Sequence, residues 1–468
     1  MIAIASLTPY LSNHPVDTLL GNAKASFDSL LQRQSKSYTD ALEEYGPRYG
    51  MELPEGFEDR YKFATAHHSP IIDEFDTIHR SVSPFWRLSG TDVLRTMEEV
   101  KATAGSDVWC CTYSGRERET SCRHPFRKFD RNLQYLFEKL PRNLSVRTPD
   151  VKFLVNHLDE PRALLPAASL GTNNPAQRKF TLTHLSRQPT WDSITRDFTY
   201  LTSAMDLCQN PEYRHSHGLF IHPTSFRLFE GLTPIFSTGS LSTMSPAYLE
   251  TYFQYDDSKD VDWEKKKCLT TSLGSWRDFH RQRFVALVQN LDRKPQTYLR
   301  DIEGVVTGLV SHFLNTRLFD TSFSRVFQFS MKFCREQGAY FKIKPWADKF
   351  KALRSRLAFD MDGNGISGRY YQLLASKSVV LKQTLLREWH DDRLVPWTPD
   401  VPVSQSLKEL PDLVSYLTTS ERGQGTAKEI TNRGREWHST AFREVDLSIY
   451  IYRLLLEMVR LQDPNNVS

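Results

Sequence analysis

The stretch from Phe359 to Thr384 reads FDMDGNGISGRYYQLLASKSVVLKQT, and its pattern decides how the second half of the chain folds. Apolar residues lead into a turn that contains Gly363, Gly365 and Gly368. A short amphipathic run follows the turn, and the β-branched segment Val379–Leu381 follows that run. The order of these patterns predicts a strand, a glycine-rich turn, a helix and a second strand.

The glycine-rich turn also predicts a binding site for an anion. Glycines let backbone N–H groups come close to a ligand, and the N-terminus of the following helix favours negative charge. Arg369 falls in the first turn of that helix, where it would add a bidentate donor to a phosphate. We interpret the turn as the diphosphate pocket of an enzyme that uses a nucleotide-sugar.

Two other interpretations of this turn compete with a diphosphate pocket. Asp360, Asp362, Asn364 and Gly365 match positions 1, 3, 5 and 6 of an EF-hand loop, but Tyr371 stands at position 12, where a bidentate Glu is needed. The turn also fits a plain connection without a ligand, in which the two aspartates only cap the backbone. A single glycine turn does not decide between ligand and no ligand.

Length and composition predict a well-folded chain with a mild charge. The 468 residues are enough for two domains with extensions, and aromatic residues, 12 % of the chain, provide material for cores. Lys and Arg number 60 against 56 Asp and Glu, a balance that argues against a nucleic-acid partner. No apolar stretch reaches the ~20 residues of a membrane helix, and the sequence shows no signal peptide or anchor.

The cysteines give little information about sites or cross-links. There are six of them, at Cys110, Cys111, Cys122, Cys208, Cys268 and Cys334. No C-x-x-C pair occurs, so the spacing does not predict a zinc site. The spacing leaves the pairing of any disulfides open.

Residues 1–86 predict a helical extension. One face of its first helix is apolar at intervals of four and three residues, at Val16, Leu20, Ala23, Phe27 and Leu30. Proline and glycine breaks separate the helical segments that follow. We interpret the extension as an arm that packs against the rest of the protein and carries no chemistry.

Residues 87–255 alternate between strand and helix patterns, which predicts parallel α/β units. Asp107–Cys111 and Val151–Val155 are two of the predicted strands. Ligands of parallel sheets bind beyond the carboxyl ends of the strands, so Asp159, just after the second of these strands, is predicted at a functional edge. The residues alone also allow Asp159 to cap a helix or to pair with Arg162.

Residues 256–440 predict a second α/β region, which holds the glycine-rich turn. Arg277, His280 and Arg281 share one face of a predicted helix, and a solvated basic face is the simpler interpretation of them. Phe284, Leu287 and Val288 would then form the buried face. The run Tyr340–Lys344 predicts a further strand.

Helices are predicted for the end of the chain. Two of them are Leu407–Leu417 and Thr426–His438, and residues 441–468 predict a last helix and a tail. The last helix carries one apolar stripe, formed by Val445, Ile449, Tyr452, Leu456 and Val459. The sequence contains no internal repeat.

Several short runs occur along the chain in the order seen in one enzyme family. Up to residue 255 they are Arg33–Ser35, Pro54–Phe57, Ile71–Phe75, Pro84–Trp86, Asn156–Arg162, His217–Gly218 and Pro234–Ser237. After residue 255 they are Trp263–Lys266, Asp362–Arg369, Ser378–Lys382, Pro396–Trp397 and Val401–Val403. Through them the chain resembles the fungal capsule-associated glycosyltransferases of glycosyltransferase family 90, which are relatives of the protein O-glucosyltransferases.

The resemblance implies an α/β fold of the glycosyltransferase B (GT-B) type, in which two Rossmann-like domains face a cleft. The extension would be residues 1–86, and residues 87–255 would form the acceptor-side domain with the catalytic base. Residues 256–440 would form the domain that binds the UDP-sugar, and residues 441–468 would follow as the last helix and tail.

The resemblance also implies the reaction and its residues. The expected activity is an inverting transfer of a sugar, xylose or glucose, from a UDP-sugar to a hydroxyl of a glycan or protein, with no metal and no other cofactor. Asp159 matches the family's catalytic base, and Arg281 matches an arginine that contacts the donor phosphates. The donor-binding loop matches Asn364, Gly365, Ile366, Ser367, Gly368 and Arg369. Family members suggest the secretory pathway and the Golgi lumen.

Two departures from the family pattern bear on activity. Family members carry an aromatic-Arg-Gly-Ser run after the Trp-x-x-Lys segment, whereas Lys267–Ser272 reads KCLTTS and predicts a shortened segment. The Pro-Trp segment continues Val-His-Tyr in the family but Thr398–Asp400 here. The first departure favours an alternative function, a catalytically impaired protein that binds a UDP-sugar or a partner. Asp159 and Arg369 favour an enzyme.

Overall fold

The computed structural model describes residues 14–103, 105–128, 130, 133, 135–142, 149–157, 163–164, 213, 217–218, 229–230, 232–237, 251–275, 279–302, 305–326, 331–345 and 348–465. The main helices are α1 (Pro15–Gln32), α2 (Tyr38–Tyr49), α3 (Phe57–Ala66), α4 (Asp76–Val82), α5 (Gly90–Ala102), α6 (Phe279–Val288), α7 (Met331–Tyr340), α8 (Tyr370–Leu374), α9 (Leu410–Thr419), α10 (Glu421–Ala441) and α11 (Glu444–Gln462). The strands are β1 (Val108–Ser114), β2 (Glu119–Arg123), β3 (Val151–Asn156), β4 (Ala163–Leu164), β5 (Phe229–Glu230), β6 (Ile235–Phe236), β7 (Lys267–Ser275), β8 (Gln296–Ile302), β9 (Val305–Ser311), β10 (Phe319–Val326), β11 (Ser355–Met361), β12 (Val379–Gln383) and β13 (Val401–Pro402).

Short-range sequence signals set the ends of the first helices. Helix α1 begins with Pro15, which suits the first turn, and His14 accepts a hydrogen bond from the Val16 N–H at 3.3 Å. Ser37 and Asp40 form a capping box at the start of α2. These helices confirm the predicted helical character of the arm.

Helix α1 packs against helices from the opposite end of the chain. Its buried apolar side chains are Val16, Leu19, Leu20, Ala23 and Leu30. Asp17 accepts hydrogen bonds from the Tyr416 hydroxyl at 2.8 Å and from the Thr426 hydroxyl at 3.0 Å. His14 Nε2 lies 3.1 Å from Asp412 Oδ2. Helix α1 and the residue before it are therefore held against α9 and α10 by apolar packing and by polar contacts.

The first sheet has the order β2-β1-β3-β6 and mixes strand directions. Strand β1 is antiparallel to both β2 and β3, whereas β3 and β6 are parallel. The prediction of parallel units for this region is thus wrong for β1 and β2. Only four residues, 115–118, join these two strands, and a connection that short permits only a hairpin.

The hairpin register resolves one disulfide that spacing left open. Cys111 and Cys122 face each other directly across β1 and β2, and their sulfurs are bonded. Cys110 and Cys268 are free thiols. The disulfide joins the two strands of a hairpin on the edge of the first sheet.

The second sheet is parallel throughout, with the order β10-β7-β11-β12-β13. Strand β11 is its middle strand and leads into the glycine-rich turn, α8 and β12, as predicted. Side chains of β11 alternate between two cores, because Leu357 and Phe359 pack on one side and Ala358 on the other. Both faces of this sheet are covered, as is usual for parallel strands.

The two cores are built from different parts of the chain. One side of the second sheet packs against α1, α6, α9 and α10. The other side joins a larger core with the arm, the first sheet and α11. None of the helices in the described ranges is both long and apolar enough to span a membrane. The mixed α/β architecture with a parallel sheet agrees with the predicted class; the domain limits and the two Rossmann-like halves stay predictions.

Other element predictions hold only in part. Tyr340 is the last residue of α7, and the predicted strand Tyr340–Lys344 is reduced to a single bridge between Ile343 and Phe323. The two predicted late helices are present, with different limits, as α9 and α10, and the apolar stripe of α11 is buried or partly buried.

Candidate functional site

The glycine-rich turn lies at the carboxyl end of β11, the middle strand of the parallel sheet. Inside the turn, the Gly363 N–H donates to the Gly365 carbonyl at 2.8 Å, and the Tyr370 N–H donates to the Ser367 carbonyl at 3.2 Å. The Ser367 hydroxyl donates to Asp360 Oδ1. The helix that follows, α8, is short, as predicted, but it is not amphipathic, because all five of its residues are buried.

A buried cation supports this turn from the neighbouring strand. Lys382 stands opposite Asp360 in the parallel register of β11 and β12. Its ammonium lies 3.0 Å from Glu388 Oε1, 3.8 Å from Asp360 Oδ2 and 3.7 Å from the centre of the Tyr370 ring. Arg369 Nη2 lies 3.9 Å from Asp360 Oδ1, with the Arg369 side chain 18 % exposed. Two cations therefore converge on one buried carboxylate.

Burial controls the ionisation of these groups. It raises the pKa of Glu388 to about 7, although Lys382 acts in the opposite direction. Burial also raises the pKa of Asp360 against the opposing charges of Lys382 and Arg369. The nearby carboxylates in turn raise the pKa of Lys382, whose ammonium stays charged despite burial. The Lys382 ammonium therefore keeps a positive charge next to Asp360, at the start of the glycine-rich turn.

Helix α6 holds the other side of the turn. The Asp362 carbonyl accepts hydrogen bonds from Arg281 Nε at 2.8 Å and from His280 Nε2 at 3.0 Å. The Asp362 carboxylate accepts from the Leu385 N–H at 2.7 Å. A Cβ atom on Gly363 would lie 3.2 Å from Arg281 Nη2, so a side chain there would crowd the guanidinium. Glycine at this position lets α6 approach the turn closely.

The predicted basic face of α6 is not solvated at two of its three residues. His280 is 1 % exposed and Arg281 is 8 % exposed, so the interpretation as a solvated face is wrong for them. Their polar groups are satisfied by the turn, which lies about 80 residues later in the sequence. Arg277 lies outside the described residues.

Histidine 217 joins this site from the first half of the chain. The His217 ring stacks on the His280 ring, with 4.0 Å between centroids and 3° between planes. Its Nε2 lies 3.5 Å from Asp362 Oδ2. The Gly218 N–H donates to His280 Nδ1 at 3.4 Å, which leaves Nε2 of His280 as the donor to Asp362. Sequence reasoning placed the His217–Gly218 run in the family pattern but gave it no role.

A second polar network lies behind α8, and sequence reasoning missed it. The Tyr370 hydroxyl donates to Asp400 at 2.8 Å, so the departure at Thr398–Asp400 provides a partner for this tyrosine. The Tyr371 hydroxyl lies 3.0 Å from His390 Nδ1 and accepts from the Trp389 indole at 2.9 Å. The adjacent tyrosines were the only local signal, because their partners come from later loops.

The segment that begins at Lys267 is a strand. Strand β7 continues to Gly274 and Ser275, and these two residues end it at the same sheet edge as the glycine-rich turn. The strand contains no arginine and ends in Leu273, Gly274 and Ser275. The predicted shortening relative to the family stays a prediction.

The residues predicted to bind the sugar donor lie together at one edge of the parallel sheet. Asn364, Gly365, Ile366, Ser367, Gly368 and Arg369 form the turn, and Arg281 lies directly beside it. The predicted base, Asp159, lies outside the described residues. In the described ranges, no group of three or more His, Cys, Asp or Glu side chains is arranged to hold a metal ion.

The part of the sequence that contains this site matches a protein-family model. Residues 262–466 match the glycosyl transferase family 90 model. The family 90 region contains α6, the glycine-rich turn, the buried Lys382 and the second sheet from β7 onwards. The earlier runs of the resemblance, up to residue 255, fall outside the match. No curated protein matches the chain.

The match confirms the resemblance to glycosyltransferase family 90. It supports a glycosyltransferase, an enzyme that moves a sugar from a donor to an acceptor. Helix α6 and the turn, which the geometry brings together, are both inside the family 90 region. The capsule-associated and fungal character implied by the resemblance stays a prediction.

Proposed function

We propose that this protein is an inverting glycosyltransferase that moves a sugar, xylose or glucose, from a UDP-sugar to a hydroxyl of a glycan or protein without a metal ion. The observation that carries the proposal is the glycine-rich turn at the carboxyl end of β11, inside the family 90 region. Ligands of parallel α/β sheets bind at this edge. The turn is fixed on both sides before any ligand arrives, by α6 and by Lys382.

In this proposal the donor diphosphate lies against the turn. Charge develops on the leaving phosphate as the bond to the sugar breaks, and preorganised donors stabilise it. Arg369 is partly exposed and provides one such donor, and Arg281 beside Gly363 provides a second positive charge. These arginines and the backbone N–H groups would take the role that a metal ion has in other glycosyltransferases.

Asp159 provides the base in the proposed reaction. An inverting transfer is a single displacement, in which the acceptor oxygen attacks the anomeric carbon from the side opposite the leaving UDP. A carboxylate within hydrogen-bond reach removes the hydroxyl proton as the new bond forms. We propose Asp159 on the family resemblance; in the sequence it comes three residues after the end of β3.

The disulfide supports a location in the secretory pathway. Cys111 and Cys122 are bonded across the first hairpin. Disulfides persist in oxidising compartments and are rare in the cytosol. We therefore propose the Golgi lumen, where the family resemblance also points.

The central experiment measures UDP release from a panel of UDP-sugars, with glycan and peptide acceptors, in EDTA and in manganese. We expect turnover with UDP-xylose or UDP-glucose that survives EDTA and gains nothing from manganese. Turnover that appears only with manganese would show that Asp360 and Asp362 act as metal ligands. Failure of UDP itself to bind, measured by calorimetry, would overturn the proposal as a whole.

Replacing Arg369 by alanine should weaken UDP binding by about one to two decades, because a charge-assisted hydrogen bond contributes about 1.5–3 kcal/mol. Calorimetry with UDP measures this directly. Arg354→Ala is a matched control, because Arg354 is exposed and precedes β11 at the opposite end of the same strand. Equal UDP affinity in the Arg369 variant and the wild type would remove Arg369 from the donor site.

The second candidate function is a UDP-sugar-binding protein with impaired catalysis. The observation that favours it is the lack of an arginine in β7, the segment where the family resemblance leads us to expect an Arg-Gly-Ser run. Such a protein would bind UDP through the turn and release little or no UDP from any donor. The wild-type result of the donor panel separates this candidate from an active enzyme.

Leu273→Arg should raise single-turnover release of UDP by roughly 10²-fold, the effect of one preorganised donor on a developing charge. Leu273→Met is the control, since it changes shape without adding a donor. A rate that does not change in the arginine variant would show that the wild-type chain already has all its phosphate donors. In that case the lack of an arginine in β7 does not limit the rate of UDP release, and the impaired-catalysis candidate loses its support.

A further inference from the structure

A second group of aromatic and polar side chains lies at the end of the first sheet. Strand β1 begins where the antiparallel β3 ends, and the His157 N–H donates to the Asp107 carbonyl at 3.4 Å. Asp107 has a φ of 49°, a left-handed conformation that is uncommon for residues other than glycine. Backbone strain of this kind clusters at functional sites.

The side chains of this group contact one another closely. We call it the β3-edge cluster, and its members are Asp107, Trp109, His124, Phe126, Arg127, Asp130 and His157. The Trp109 indole donates to His157 Nδ1 at 3.1 Å. Arg127 Nε donates to Asp107 Oδ1 at 3.3 Å, and His124 Nε2 lies 3.0 Å from the same oxygen. Asp130 Oδ2 lies 3.3 Å from His157 Nδ1.

The cluster presents an aromatic ring and polar groups to solvent together. Phe126 is 80 % exposed, and its ring lies 6.1 Å from the His124 ring. Arg127 is exposed, and Asp130 and His157 are partly exposed. A single exposed Phe is unremarkable on a protein surface, but this one adjoins polar side chains that are already ordered by contacts with one another.

The charge of the cluster suits an uncharged polar ligand. Burial lowers the pKa of both His124 and His157, so both imidazoles are neutral at pH 7. Burial acts to raise the pKa of Asp107, but the hydrogen bond and charge of Arg127 outweigh it and lower that pKa. The positive charge of Arg127 is thus balanced by the carboxylates of Asp107 and Asp130. A neutral imidazole can donate a hydrogen bond to a hydroxyl group or accept one from it.

We propose that the β3-edge cluster binds the acceptor and that the acceptor is a carbohydrate; this rests on the proposed glycosyltransferase function. A sugar ring has an apolar C–H face that can stack on Phe126 and a rim of hydroxyls that match the imidazole, carboxylate and guanidinium groups. A phosphate ligand would meet the carboxylates of Asp107 and Asp130. The base proposed for the reaction, Asp159, comes two residues after His157, and two residues of extended chain span at most about 7 Å.

The test is calorimetric titration of the full chain with four tetrasaccharides, one each of glucose, mannose, xylose and galactose, without donor. We expect at least one of them to bind. Phe126→Ala should then raise its Kd about two- to tenfold, the range for a lost aromatic contact, and His157→Gln should raise it by a similar factor. Phe313→Ala is the control, because Phe313 is 69 % exposed outside the cluster.

The outcomes separate this inference from the proposed function, because the titration needs neither UDP nor turnover. Absence of binding by all four saccharides would overturn it, as would binding that both cluster variants leave unchanged. Binding of a Ser/Thr-rich peptide that Phe126→Ala abolishes, with no saccharide bound, would assign a protein acceptor instead. UDP affinity, measured in parallel, reports on the donor site alone.

Discussion

Replacing Asp159 by asparagine is expected to lower the rate of sugar transfer by about 10²- to 10⁴-fold, the contribution of a positioned general base. The amide cannot take the proton from the acceptor hydroxyl. UDP affinity should stay close to that of the wild type, because the base acts on the acceptor and not on the nucleotide. Transfer rates with a saturating donor, together with UDP calorimetry, measure the two properties separately.

Glu160→Gln is the matched control for this variant, because it removes one negative charge from the next residue without touching the proposed base. We expect its transfer rate to stay within a few-fold of the wild type. Retained activity in Asp159→Asn would assign the base to another group. Joint loss of activity and UDP binding in a folded variant would mean that Asp159 has a structural role.

Replacing Lys382 by methionine is expected to destabilise the fold by about 3–5 kcal/mol, the usual effect of removing one partner from a buried ion pair. The Lys382 side chain is 11 % exposed, and its loss leaves Glu388 and Asp360 without their shared cation. The midpoint of denaturant unfolding measures the loss, provided that the slope of the transition is unchanged. Adding Glu388→Gln to the variant should recover part of the stability.

Lys377→Met provides the control within the same segment of chain. Lys377 Nζ lies 3.4 Å from Asp257, whose side chain is 69 % exposed, and exposed ion pairs of this kind contribute about 0–1 kcal/mol. We expect the free energy of unfolding of this variant to stay within about 1 kcal/mol of the wild type. A Lys382 variant as stable as the Lys377 variant would show that the buried carboxylates do not need the cation.

The centre of the second sheet could be predicted from sequence because its signals are local. Three glycines within six residues, apolar residues before them and a β-branched run after them are enough to predict β11, the turn and β12. The apolar spacing of α1 and α11 is equally local. The resemblance that these runs carry is confirmed by the family match over residues 262–466.

The direction of strands in the first sheet could not be read from the same kind of pattern. Side chains point alternately to the two faces of the sheet in parallel and antiparallel strands alike. The choice depends on the connection, and here four residues between β1 and β2 fix a hairpin. That hairpin in turn sets Cys111 opposite Cys122, a pairing that depends on register and not on spacing.

The polar interior of the candidate site was hidden because its contacts are distant in sequence. His280 and Arg281 resemble a solvated face until the Asp362 carbonyl is placed beside them. Tyr371 gives no hint of His390, which lies on a later loop. Polar residues enter a core where a partner satisfies their hydrogen bonds, and sequence patterns do not name that partner.

The contact of α1 with α9 and α10 has a consequence for how the protein is made. A ribosome adds about 5–20 residues per second, so roughly 20–80 seconds separate the emergence of Asp17 from that of its partners Tyr416 and Thr426. During that interval the apolar face of α1, with Leu19 and Leu20, has no final binding surface. The first helix therefore reaches its final packing only after α9 and α10 have been synthesised, and until then its apolar face is open to other contacts.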